Sequence, residues 1–351
     1  VNKPIYLDFA ASCPIHPKIL DVLKDSFENN FGNAGSELHY YGWKSEEIIE
    51  KSRLSIQQYF KNNKAKIIFT SGATESNNLA IQGYLDNFPN KGHIISSKIE
   101  HKAVLEIFYA LEKKGWEITL LSPDSKGILD LTELISSIKS NTKLISLMWV
   151  NNELGTINPI SEIHKIAQDN SICFHSDFTQ GLGKLPVEFP LPDMVTFSGH
   201  KLYSPKGIGG LLISNNLELK PLYYGGGQEY GFRPGTLPSP LIEALGNSFG
   251  LIPELLNKIP EFTFWNNEIS KSLKDSFGDR IQINSHNAVP QILNFTVKDI
   301  DWEKLFLKLN KLAISNGSAC NFKTKNPSHV GLAIGLSENN SLSTIRISFG
   351  E

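Results

Sequence analysis

The sequence predicts an α/β protein: a large, mainly parallel sheet covered by helices, followed by a smaller α+β unit. Apolar strand-like runs alternate with helix-like ones through most of the chain, the pattern of parallel strands joined by helical crossovers. The texture changes from about Pro253, and 351 residues are enough for two units at roughly 150 residues each. No run reaches the ~18 consecutive apolar residues of a membrane span.

In chain order, residues 66–70 (Lys-Ile-Ile-Phe-Thr) read as a buried strand, 76–85 as a helix, 93–97 as a strand, 103–114 as a helix and 117–121 as a strand. The rhythm repeats with a helix at 131–139, a strand at 144–150, a helix at 160–169 and a strand from 171 to 176 that ends at Asp177. Runs at 194–198 and 209–214 complete this set. Beyond it, 265–276 is an amphipathic helix, 291–297 a strand, 302–311 a helix and 343–349 a last strand. The expected division is a large unit over 14–252 and a small one made of 1–13 with 253–351. Residues 223–240 are too rich in Gly and Pro for a regular element, and long irregular loops in compact domains are usually functional.

Lys plus Arg number 34 against 36 Asp plus Glu, a net charge of −2, which offers no field for nucleic acid or an anionic membrane. The three cysteines, Cys13, Cys173 and Cys320, are widely spaced without C-x-x-C, which argues against a disulfide framework and a zinc site. No metal is expected. The first residues lack the basic and apolar regions of a secretory signal, so a soluble cytoplasmic protein is expected.

Ser198-Gly-His-Lys201 follows an apolar strand. A lysine at the carboxyl end of a sheet strand sits where open α/β sheets bind ligands, and burial beside His200 and Lys206 lowers its pKa towards a reactive amine. Taken alone, such a lysine is ordinarily a solvated residue. Asp177, in His175-Ser-Asp-Phe-Thr-Gln180, lies 24 residues earlier at another strand end. Lysine and aspartate so placed are what pyridoxal phosphate needs, one for a Schiff base and one to keep the pyridine nitrogen protonated. The alternative is that Asp177 merely caps a helix.

Thr70-Ser-Gly-Ala-Thr74-Glu-Ser-Asn-Asn runs from strand to helix through small residues, so free amides and the Thr74 hydroxyl form a phosphate cradle. His101 opens the next helix, where an imidazole can stack on a flat ring and transfer protons. Asn152 follows the strand at 144–150 and can donate to a cofactor hydroxyl. Arg346 can hold a carboxylate through paired hydrogen bonds, and Arg233 is a candidate for phosphate or for structure. Cys320 lies in a polar loop with Lys323 and Lys325 nearby, which favour the nucleophilic thiolate. Cys173, in Ile-Cys-Phe, reads as buried and structural, and Cys13 as incidental.

Together these segments resemble the cysteine desulfurases of the pyridoxal-phosphate class V aminotransferase family, the branch of the iron–sulfur and nitrogen-fixation enzymes. The markers are Thr-Ser-Gly-Ala-Thr-Glu-Ser-Asn-Asn at 70–78, Glu-His-Lys-Ala-Val at 100–104, Val-Asn-Asn-Glu-Leu-Gly at 150–155, Ser-Gly-His-Lys at 198–201 and Asn-Gly-Ser-Ala-Cys at 316–320. The resemblance implies a fold-type I transferase with pyridoxal 5'-phosphate. It makes Lys201 the Schiff-base lysine, Asp177 the partner of the pyridine nitrogen, and Gln180 with Asn152 donors to the ring hydroxyl. His101 stacks on the ring and handles protons. Ala73, Thr74, Ser198 and His200 hold the phosphate, and Thr236 reaches in from a second subunit, which implies a homodimer. Arg346 and Asn152 bind the substrate, and Cys320 attacks its sulfur.

The implied reaction converts L-cysteine to L-alanine with the sulfur held as a persulfide on Cys320, for an acceptor such as an iron–sulfur scaffold protein. The loop from Cys320 to Leu336 looks as long as in the branch with a mobile cysteine loop. Three features depart from the pattern: Phe178 after the aspartate, Asn-Phe-Lys-Thr after the cysteine, and no helical extension after the last strand. Another class V activity, an aminotransferase or a selenocysteine lyase, and a binding paralogue without turnover are the alternatives on sequence alone.

Overall fold

A computed structural model of the chain describes residues 3–316 and 326–351. The first strand, β1 (Ile5–Tyr6), is followed by α1 (Pro17–Asn29) and α2 (Tyr40–Tyr59), two helices that the sequence reading did not place. The start of α1 has a proline in its first turn and an imidazole cap, His16 Nδ1 accepting from Lys18 N at 3.2 Å, which satisfies an otherwise orphaned amide. Helix α2 buries Ser45, Ser52, Arg53 and Gln57 beside Ile48, Ile49 and Ile56. Polar side chains on its inner face blur the apolar stripe that signals a helix.

The expected alternation then appears as β2 (Lys66–Thr70), α3 (Ala73–Leu85), β3 (His93–Ser97), α4 (Lys102–Lys113), β4 (Glu117–Leu121), α5 (Leu131–Ser136), β5 (Thr142–Ser146), α6 (Ile160–Asp169), β6 (Cys173–Asp177), β7 (Met194–Ser198) and β8 (Gly209–Ile213). Among the described residues these strands form a seven-stranded sheet in the order β2-β8-β7-β6-β5-β3-β4. Six of them are parallel, while β8 is antiparallel to β2 and β7. Helices cover both faces, which is why the strands read as continuous apolar runs instead of alternating ones. The strand expected at 144–150 is shifted: β5 stops at Ser146, and residues 147–150 stay buried but leave the regular ladder as they turn towards the site. The helix expected at 131–139 ends at Ser136.

Helices α7 (Ser239–Phe249) and α8 (Ile252–Leu256) follow. Helix α7 lies against α2 so closely that a Cβ on Gly246 would stand 2.6 Å from Ser52 Cβ. Phe60, Phe197 and Phe249 meet beneath them with ring centroids 5.3–6.0 Å apart, each such burial contributing about 1.5–3 kcal/mol.

The last part holds α9 (Ile259–Phe277), β9 (Ile281–Ile283), β10 (Ile292–Val297), α10 (Trp302–Lys308), β11 (Leu312–Ala313), α11 (His329–Ala333), α12 (Glu338–Leu342) and β12 (Thr344–Ser348). An antiparallel sheet β12-β10-β9 packs Phe262, Leu293, Phe295, Ile345, Ile347 and Phe349 into a separate apolar cluster, while β1 pairs with β11. Ala10 N donates to Ser348 Oγ at 2.9 Å, so the N-terminal segment is fastened beside β12 and runs past the ends of the large sheet. Among the described residues no helix is long and apolar enough to cross a membrane.

Candidate active site

The carboxyl ends of β2, β3, β6 and β7, together with the N-terminal segment, β12 and α11, line a cavity of about 520 Å³, within the range of small-molecule and cofactor sites. Asp177 ends β6, and the neighbouring parallel strand β7 pairs Thr196 with it. Lys201 lies in the turn directly after β7. The 24-residue separation is thus one crossover between adjacent strands, and both side chains line the cavity.

The Lys201 amine donates to the Ala11 carbonyl at 2.7 Å and also to that of Ala10. Burial pushes its pKa down, the positive charges of Arg346 and Lys184 push it further, and it settles at about 7. Asp177 accepts at Oδ2 from Asn77 Nδ2 and at Oδ1 from Thr179 N, both at 2.9 Å. Two donors orient the carboxylate. No helix follows Asp177, so the capping alternative does not hold.

Helix α3 starts at Ala73 with Gly72 before it at φ +149° and no side-chain cap, leaving first-turn amides open beside Thr74 and Ser198. Such an uncapped terminus suits an anion. Close packing builds this cradle: a Cβ on Gly209 would stand 2.7 Å from Gly72 Cα. Glu75 accepts from Ser71 N at 2.6 Å, from Arg233 Nε at 2.9 Å and from Tyr223 OH at 2.5 Å. Burial alone would raise its pKa, but these donors outweigh it and hold it at about 2. Arg233 donates to Glu75 and is not among the residues lining the cavity of the single chain, an arrangement that supports the structural reading.

His101 caps α4, its Nδ1 accepting from Ala103 N at 3.1 Å. Burial lowers its pKa, opposed by Asp177 and assisted by Lys201 and His329. His200 shares 3.3 Å with the Ser12 hydroxyl and is pushed down to about 4 by burial and the amines of Lys201, Lys206 and Lys184. His175, in the same stretch as Asp177, takes no part in the cavity wall; Ser146 and Thr196 hold it inside the sheet at 2.8 and 3.1 Å.

Arg346, on β12, donates from Nη2 to Asp8 Oδ1 at 2.7 Å and from Nη1 to the Asn152 carbonyl at 2.8 Å. Gln180 Nε2 donates to the Ala10 carbonyl at 2.7 Å. Asn77 Oδ1, Asn152 Oδ1, Thr179 Oγ1 and Gln180 Oε1 are buried without a hydrogen-bond partner. Buried polar atoms rarely stay unpaired, and all but Asn77 belong to residues that line the cavity. With the amine, the carboxylate and the open helix end, this donor and acceptor set fits a flat pyridine carrying a phosphate, a hydroxyl and an aldehyde.

Of the residues singled out from sequence, Ala73, Thr74, His101, Asn152, Asp177, Gln180, Ser198, His200, Lys201 and Arg346 line this cavity. Thr236 is exposed and lies outside it within one chain. Cys320 lies outside the described residues. Phe178 does not crowd the cavity: its ring packs in the core on Trp149, centroids 4.5 Å apart. Cys13 is buried, its thiol donating to the Lys201 carbonyl at 3.5 Å, and Cys173 is buried as expected. The sequence reading missed Ala10, Ala11, Asn77, Glu153 and His329. Asn77 was within reach, lying one turn after Thr74 in the same motif; the two alanines act through backbone carbonyls, which leave no mark in a sequence.

The chain belongs to the aminotransferase class-V family, which matches residues 5–351. It is 38% identical to the cysteine desulfurase IscS of Vibrio campbellii and 40% identical to that of Buchnera aphidicola, covering 100% of this chain and 89% of each relative. A solved structure of SspA in complex with cysteine superposes with a TM-score of 0.88 at 38% identity, over 98% of both chains. The cysteine desulfurases are thus the branch of the family in which the chain falls, as the motifs implied.

Proposed function

We propose that this chain is a pyridoxal 5'-phosphate-dependent cysteine desulfurase that converts L-cysteine to L-alanine and holds the sulfur as a persulfide on Cys320. The observation that carries the reading is the buried Lys201 amine, brought down to about 7, in one cavity with Asp177 on the adjacent strand.

Ala73, Thr74, Ser198 and His200 would hold the cofactor phosphate at the start of α3, with Thr236 of a second copy closing it. Asp177 would keep a proton on the ring nitrogen, Asn152 and Gln180 would meet the ring hydroxyl, and the His101 imidazole would stack on the ring. Bound there, pyridoxal phosphate supplies an electron-accepting ring joined to the substrate nitrogen.

Arg346 receives the substrate carboxylate as a fork of two donors. The Lys201 amine, about half neutral near pH 7, takes the proton from the substrate Cα. The thiolate of Cys320 forms an S–S bond as the substrate Cβ–S bond breaks, and proton return to carbon yields alanine.

The same reading includes division of the chain into 14–252 and 1–13 with 253–351, supported by the separate small sheet and its apolar cluster. It includes a homodimer, supported by the exposed aromatics Phe31, Tyr40, Tyr41 and Trp43, and a sulfur-acceptor protein such as an iron–sulfur scaffold. A reactive thiol calls for a reducing compartment, the cytoplasm.

The test is the visible spectrum of the cofactor-loaded protein before and after L-cysteine, with alanine and sulfide measured in the presence of a thiol reductant. The expected result is a spectral change and equal amounts of both products. Cys320→Ala should keep the spectral change and release no sulfur. Alanine formation that depends on an added keto acid would overturn the reading.

A further inference from the structure

Beside Arg346 a chain of contacts runs round the cavity to a lining imidazole, His329, to which the function proposed above gives no role. Arg346 holds the Asn152 carbonyl at 2.8 Å; the next residue, Glu153, accepts from Ser328 Oγ at 2.5 Å. Ser328 caps α11, accepting from Val330 N and Gly331 N at 3.1 and 3.2 Å, and so fixes the backbone that carries His329. The His329 ring lies 2.9 Å from the Glu100 carbonyl through Nε2. That contact requires a hydrogen on Nε2, which in the neutral ring leaves Nδ1 a lone-pair acceptor. Nδ1 is buried and has no partner, and His329 lines the cavity next to His101.

A buried acceptor left unpaired costs free energy, and a donor for it can arrive with the ligand that fills the adjoining cavity. On the function proposed above, which this step presupposes, L-cysteine has three polar ends. Its carboxylate belongs to Arg346 and its amino group to the Lys201 side of the cavity. The remaining donor is the thiol.

We propose that His329 receives the thiol of L-cysteine, its Nε2–H staying on the Glu100 carbonyl while Nδ1 accepts a hydrogen bond from the substrate S–H. The residue thereby distinguishes L-cysteine from amino acids of similar size that lack this donor, and it sets the direction in which the sulfur faces before transfer.

Two substitutions separate this role from a structural one. In His329→Asn the side-chain oxygen replaces Nδ1, and the contact with Glu100 is lost. In His329→Gln the amide nitrogen still reaches the Glu100 carbonyl, and the Nδ1 acceptor is lost. The cofactor-loaded enzymes are compared for the KM of L-cysteine and for the dissociation constant of L-alanine, which has no thiol, read from the visible absorption of the cofactor. His329→Gln should raise the KM for L-cysteine about tenfold, the scale of one hydrogen bond, with L-alanine binding unchanged. His329→Asn should stay within about threefold of the wild type for both ligands.

A His329→Gln enzyme with wild-type KM overturns the proposal. So does one that loses L-alanine binding to the same extent as L-cysteine, which would make His329 part of the framework. A wild-type enzyme that forms no alanine from L-cysteine overturns the function itself, and that result is read before either variant is made.

Discussion

Arg346 Nη2 lies 2.7 Å from Asp8 Oδ1 across 338 residues of sequence. The pair fastens the last strand to the N-terminal segment in which Ala10 and Ala11, two and three residues after Asp8, offer their carbonyls to the Lys201 amine. Arg346, the proposed receiver of the substrate carboxylate, and the Lys201 amine are therefore both held by one short stretch of chain. Arg346→Lys keeps a positive charge but not the planar fork that spans Asp8 and the Asn152 carbonyl. The expected outcome is a rise of at least about tenfold in the KM for L-cysteine with a smaller change in kcat, from one lost charge-assisted hydrogen bond. Steady-state kinetics measure both; an unchanged KM would remove Arg346 from the substrate site.

The amine of Lys201 gives a pH dependence of known sign. Its pKa is depressed to about 7, so the amine is mostly protonated below that pH and mostly neutral above it. Only the neutral form attacks an aldehyde. The rate at which cofactor-free protein takes up pyridoxal phosphate should therefore rise through a midpoint near 7 and level off above it, followed as growth of visible absorption. A midpoint near the ordinary lysine value would show that the amine faces water.

The strand ends were legible because a parallel sheet gathers its carboxyl termini along one edge, so Asp177 and Lys201, each at a strand end, could be expected to face one pocket, whereas the role of Ser198 came only with the family resemblance. What stayed hidden has physical reasons. Strand β8 is apolar on both faces, and its composition carries no record that it runs against its neighbours. Helix α2 turns Arg53 and Gln57 inward, where Glu229 and the Ala65 carbonyl receive them. His329 belongs to a five-residue helix, too short to show a period, and its meaning depends on Glu100, which lies 229 residues earlier.

The ion pair of Arg53 with Glu229 is the one most deeply enclosed among those described, at 2.8 Å with both side chains under a tenth exposed. Glu229 also accepts from Phe69 N at 2.5 Å, and the guanidinium lies between the rings of Phe69 and Tyr230, 4.9 and 5.2 Å from their centroids. It ties the Gly-rich segment after β8 to α2 and β2. Removing one partner leaves a buried charge uncompensated, so Arg53→Leu should cost about 3–5 kcal/mol, and Arg53→Leu with Glu229→Leu should cost less than the single change. Denaturant midpoints decide; a double variant that is weaker than the single one by the full Glu229 effect would show that the two residues act independently.

The cradle at the start of α3 rests on glycine meeting glycine. On β8, a Cβ at position 209 would stand 2.7 Å from Gly72 Cα and 2.7 Å from the Phe197 carbonyl, atoms of backbone that cannot swing aside as a flexible side chain would. Gly209→Ala must therefore displace either the turn that opens the first amides of α3 or the end of β7 that carries Ser198. Both displacements move groups proposed to face the phosphate, while Lys201 and Asp177 keep their chemistry. The expected result is cofactor affinity weakened about tenfold or more, the loss of a hydrogen bond or two to an anion. Secondary structure by circular dichroism should be unchanged, and at saturating pyridoxal phosphate the pH midpoint for Lys201 should be the same as in the wild type. Equal affinity in the variant would mean that the phosphate is held elsewhere.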